Sequence, residues 1–203
     1  MTRPIELRVL ELLAARLCHD LISPVSAIAN GVELMGEDDP DFVRDAAALV
    51  GGSAKKASSR LQFYRFVYGF TGGGLTGPAP HQLAADLFAE SGIACDYAAA
   101  AGLLPAEQQQ LACAMLAAAG ESLPRGGRLT LAVTGAQLQV EAVGEGSGPS
   151  PETRAALALA ASAAELTTRT VGAYFAGLLA AAQGRRLVVS DRPGGFRIAG
   201  APL

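Results

Sequence analysis

The chain has 203 residues, half of them hydrophobic, and a formal net charge of −3, with only two lysines, Lys55 and Lys56, among its sixteen basic residues. That length holds one large domain or two small ones with ample core, and the acidic balance leaves no basic field for a nucleic acid partner. Cys18, Cys95 and Cys113 are odd in number, widely spaced and set in apolar runs, which fits small buried hydrophobes in a reducing compartment better than a disulfide or metal framework.

A first helix is expected from about Pro4 to Met35, ending in GEDDP. Charge interrupts its opening, MTRPIELRVL, and no uninterrupted apolar run reaches the roughly 20 residues of a membrane span, so the expectation is a cytoplasmic chain with no membrane segment. At about 100° per residue, Leu10, Leu13, Leu17, Leu21, Pro24, Ile28, Val32 and Met35 form one apolar stripe. His19 lies opposite that stripe, among Arg16, Ser23, Ser26 and Asn30, and therefore points outward on a polar flank. By angle alone it is a solvated histidine; its neighbours give it chemistry. Asp20 can hold a nearby imidazole in one tautomer and leave the other nitrogen free as a nucleophile. Pro24 removes a backbone N–H whose helical partner would be the carbonyl of Asp20, which predicts a bend one turn beyond His19.

A second helix should start at Asp39, a good N-cap followed by Pro40 and Asp41, and run to about Tyr68. Phe42, Ala46, Leu49, Ala57, Leu61, Tyr64 and Val67 or Tyr68 keep helical spacing, with Arg44, Asp45, Lys55, Lys56, Ser59 and Arg60 facing away. The two helices make an antiparallel hairpin with half of each stripe uncovered. The economical remedy is a homodimer whose two hairpins form a four-helix bundle; the alternative is that the C-terminal domain covers the stripe within one chain.

The order His, Asp, apolar residues, a small hydroxyl and Pro in LCHDLISPVSAI resembles the phosphoacceptor box of histidine kinase dimerisation domains. The wider string LCHDLISPVSAIANGVELM is more similar to the ChpT-type histidine phosphotransferases of alphaproteobacterial cell-cycle phosphorelays. By their place and chemistry Asp20 would assist His19 and the flank of Arg16, Ser23, Ser26 and Asn30 would meet the partner, while the resemblance implies that His19 is phosphorylated. It also implies a dimer, a CckA-type hybrid kinase receiver as donor, and CtrA-type and CpdR-type response regulators as acceptors. Mg²⁺ would come with the receiver, and the chain itself would bind no metal.

TGGGLTGPAP, from Thr71 to Pro80, marks a boundary, since three consecutive glycines sit poorly in helix or strand. The expected domains are 1–72, the hairpin, and 78–203. The second should contain a helix over 82–90, a strand over 93–97, a helix over 105–123, and a hairpin of strands over 128–134 and 138–143 joined by GAQ. Helices over 151–164 and 168–183 should follow, then strands over 186–190 and 195–199 around PGG. That order predicts a two-layer α/β sandwich of mainly antiparallel strands.

The same order resembles the ATP-binding domain of histidine kinases, with its functional residues missing. ESLPRGGRLTL supplies the expected turn and strand, yet the preceding helix carries Ala114 and Ala118 where the family's asparagines would stand. Alanine has no side-chain oxygen for a magnesium ion. Val143–Gly146 lacks the aspartate of the adenine-reading box, and RTVGAYFAGLLAAAQGRRL keeps only Gly172 and Gly177 of a phosphate lid. A site without metal ligand, base reader and phosphate loop holds no triphosphate. The expected function is therefore a histidine phosphotransfer protein, against two rivals: an ATP-dependent histidine kinase core and a non-catalytic dimeric adaptor.

Overall fold

A computed structural model describes residues 6–69, 77–89, 91–135 and 137–202. The start predicted at Pro4, most of the glycine linker from Thr71, and the middle of the GAQ turn lie outside the described residues.

Helix α1 spans Leu7–Leu34 and α2 spans Pro40–Gly69, packed along each other as an antiparallel pair. Asp39 caps α2 as expected: its Oδ1 accepts from the Asp41 N–H at 2.9 Å and the Phe42 N–H at 3.5 Å. The seam between the helices differs from the predicted stripe. Val9, Leu12, Leu13, Pro24 and Gly31 are buried, whereas Leu10, Val32 and Met35 are exposed. Gly31 lets α2 come close: a Cβ there would lie 2.6 Å from Val50 Cγ2 and 3.4 Å from the Ala46 carbonyl oxygen, so the seam runs through Gly31 and leaves part of the predicted stripe outside it.

The remainder is a five-stranded sheet under a layer of helices. The strands are β1 Ile93–Tyr97, β2 Gly127–Thr134, β3 Gln137–Val143, β4 Arg185–Arg192 and β5 Gly195–Pro202, in the order β1-β2-β3-β5-β4. Only the β1–β2 pairing is parallel. The helices are α3 Pro80–Phe88, α4 Ala106–Gly120, α5 Pro151–Leu157 and α6 Val171–Ala182, with a 3₁₀ turn at Ala99–Leu103 that the periodicity did not indicate. Helix α4 is the centre of this layer, buried almost all round from Gln109 to Gly120.

The helix expected over 151–164 stops at Leu157. Ser150 caps its start through the Thr153 N–H, but Leu159 turns left-handed at φ 56°. Beyond it Glu165 accepts from both the N–H and the hydroxyl of Ser162, at 2.8 and 2.7 Å, holding a turn where helix was expected.

One apolar core runs through both halves, from Val9, Leu12, Leu13, Phe63 and Val67 of the hairpin to Leu83, Leu111, Leu116, Leu131 and Ile198. The Gln110 amide donates to the Val67 carbonyl at 2.8 Å, and the Tyr68 ring stands edge-on to Phe175 at 5.1 Å. By length and composition alone α1 is apolar enough to cross a membrane, although Arg8, Glu11, Arg16, His19 and Asp20 interrupt its apolar run. Its polar side chains nevertheless find protein partners: Arg16 reaches Glu121 and Asp20 reaches Tyr64.

Candidate functional site

His19 projects from the outer face of α1 with its side chain 84% exposed, as its helical angle predicted. Its Nδ1 lies 3.3 Å from Asp20 Oδ1. Ser23, Ser26 and Asn30 are exposed on the same helix. The expectation that Arg16 shares this flank is corrected. Its side chain is only 14% exposed and turns under the C-terminal domain, where its guanidinium meets both carboxylate oxygens of Glu121 and the Thr168 carbonyl. Burial penalises the guanidinium charge, but Glu121 outweighs that penalty and raises its pKa. Arg16 is thus an internal strut, with its Nε 3.7 Å from Asp20 Oδ2.

Pro24 sits inside α1 without breaking it. The Asp20 carbonyl, deprived of its helical donor, is taken instead by the guanidinium of Arg60 on α2. One turn along, the Tyr64 hydroxyl donates to Asp20 Oδ2 at 2.5 Å. Burial and this hydrogen bond together push the Tyr64 phenol up from its ordinary value, so it remains a donor. Neither Arg60 nor Tyr64 was found by sequence reasoning, which placed Arg60 on the outer face and Tyr64 in the apolar stripe. Their i, i+4 spacing opposite the His-Asp pair is the one signal available, and it becomes readable only once the hairpin register is known.

In the C-terminal domain Ala114 and Ala118 are buried at 3% and 2% exposure, in a helix packed against α6. Gly177 of α6 is pressed against the end of α5: a Cβ there would lie 2.6 Å from the Leu157 carbonyl oxygen. The Pro124–Gly127 turn is equally tight, with Gly126 and Gly127 at φ 75° and 141° and the Gly127 N–H on the Gly92 carbonyl at 3.0 Å. Gly126, Gly127 and Gly177 thus hold backbone against backbone, whereas Gly146 and Gly148 face open space. Among the described residues no group of three or more histidine, cysteine, aspartate or glutamate side chains is placed to hold a metal ion.

An imidazole carried on an open helix face, with its carboxylate partner clamped from behind, has the geometry to exchange a group with another macromolecule. Residues 79–194 match the histidine phosphotransferase C-terminal domain family. Over 143 residues, 67% of each chain, the sequence is 39% identical to protein phosphotransferase ChpT of Brucella abortus (strain 2308). The structure of a bacterial phosphotransferase solved at 1.7 Å superposes with a TM-score of 0.78 at 26% identity, covering 98% of both chains. The chain belongs to the ChpT-type histidine phosphotransferase family. It is a phosphotransferase of two-component signalling, whose partners are kinases and response regulators.

Proposed function

We propose that His19 accepts a phosphoryl group from the aspartate of a receiver domain and passes it to the aspartate of a second receiver. The observation that carries this reading is the geometry of His19: fully presented to a partner, with Nδ1 on the Asp20 carboxylate. With the proton on Nδ1, the Nε2 lone pair attacks phosphorus in line as the P–O bond to the donor aspartate breaks and its electrons leave on the carboxylate. The ring then carries a positive charge beside Asp20, which stabilises it. The return step is the reverse.

The receiver supplies its own Mg²⁺, and the flank of Ser23, Ser26 and Asn30 meets it. The donor is a CckA-type hybrid kinase and the acceptors are CtrA-type and CpdR-type regulators, in the cytoplasm. Residues 1–72 provide phosphotransfer and dimerisation; residues 78–203 are an ATPase-like unit that binds no nucleotide, a reading supported by alanines at 114 and 118. The homodimer is supported by apolar side chains left on the outer face of the hairpin, Ile22, Val25 and Val32 of α1 with Phe42, Leu49 and Leu61 of α2.

Incubation with a phosphorylated receiver domain should leave acid-labile phosphate on the wild-type chain and none on His19→Gln with the fold intact. Label retained by the variant would overturn the assignment. In the same preparation, titration with Mg·ATP should give no heat of binding; a micromolar site would restore the kinase-core reading.

A further inference from the structure

Asp20 is fixed at two points from the neighbouring helix. Arg60 occupies the backbone carbonyl that Pro24 leaves without a helical donor, and Tyr64, one turn further along α2, occupies carboxylate oxygen Oδ2 at 2.5 Å. The remaining oxygen, Oδ1, faces Nδ1 of His19 at 3.3 Å. The phenol that makes this arrangement has little freedom. Its residue is 9% exposed, and its ring is set by Phe63 at 6.2 Å and Tyr68 at 5.7 Å between centroids. Arg16 Nε competes for the same Oδ2 from 3.7 Å. Without the hydroxyl, the carboxylate can turn toward that cation and away from the imidazole.

We propose that Tyr64 is a positioning residue for phosphoryl transfer, acting through Asp20 to hold the proton of His19 on Nδ1 and keep Nε2 free as the nucleophile. This rests on His19 as the phosphoacceptor. Histidine in water prefers the opposite tautomer, so the carboxylate must be aimed at Nδ1 in order to reverse it. The same aim serves the product, in which Nε2 carries phosphorus, Nδ1 keeps its proton and the positive ring faces Asp20.

The test is Tyr64→Phe in the full-length chain, which removes one oxygen and keeps the ring in the core. With a phosphorylated receiver domain as donor, the maximal rate should fall about tenfold with the half-saturating receiver concentration unchanged. The ¹⁵N shifts of neutral His19 should move from the Nδ1–H toward the Nε2–H pattern, with His81 as internal reference. In an Asp20→Asn background, Tyr64→Phe should cost nothing further, because the two act as one unit. A full rate with unchanged ¹⁵N shifts, or an additive loss in the Asp20→Asn background, would overturn the proposal. The ¹⁵N measurement needs no phosphate, so it reads the Tyr64–Asp20–His19 link even if the wild-type chain takes no label and the acceptor assignment itself fails.

Discussion

Two tyrosines beside Asp20 give the site a signature in alkali. Burial and the bond to Asp20 raise the Tyr64 phenol, and burial pushes Tyr68 up to about 12. A phenol raised by folding keeps a proton that the unfolded chain has released above about pH 10, so its stabilisation is complete below that pH and is lost as pH rises toward 12. Cys95, pushed up to about 11 by burial and by the neighbouring Asp96, extends the decline to somewhat lower pH. The urea midpoint should therefore fall steadily above about pH 9, and Tyr68→Phe should flatten the part beyond about pH 10. A midpoint that holds constant to pH 11 would show that the phenols are not differentially protonated. At this scale His19, Asp20 and Pro24 were legible because their chemistry lies within six residues. Tyr64 acts on Asp20 from 44 residues away and Glu121 meets Arg16 from 105, distances that only the fold closes. Arg16 was misplaced for that reason: a helical wheel gives its angle but not what lies above it.

Caps and breaks decided how well each element could be read. Asp39-Pro40-Asp41 fixed the start of α2, and alternation fixed the sheet strands to within one or two residues at most ends. Helix α5 was over-extended because its alanine-rich run carries no local stop signal; the stop comes from Leu159 and from contact with α6. That contact can be tested. At Gly177 an added Cβ would lie 2.6 Å from a main-chain oxygen, which cannot move aside as a side-chain tip would. Gly177→Ala should thus lower stability by about 1–3 kcal/mol despite alanine's better helix propensity. Unchanged thermal unfolding would mean that α5 and α6 are not so closely seated.

For the whole molecule, the sandwich architecture and the hairpin were legible from the order of elements, whereas the continuity of their cores was not. Nothing in the pattern around Phe63 or Val67 says that they bury against the second half of the chain, because amphipathic spacing names an apolar face without naming its cover. The apolar residues still exposed on the hairpin bear on assembly. Val25 is 54% exposed, so Val25→Glu should alter the stability of a lone chain by no more than about 0.5 kcal/mol while breaking a two-fold interface through that face. Light scattering should give twice the chain mass for the wild type and the single-chain mass for the variant. A wild type of single-chain mass would refute the dimer.

The Arg16–Glu121 pair also constrains how such a chain can diverge. An ancestor that lost Glu121 first would strand a guanidinium, 14% exposed, against one carbonyl and a distant carboxylate, at a cost of about 1–3 kcal/mol. Losing Arg16 first would leave the Glu121 carboxylate aimed at α1. Either step is a valley, so lineages should cross it by changing both positions together. Substitution at these two sites should therefore be correlated and slow.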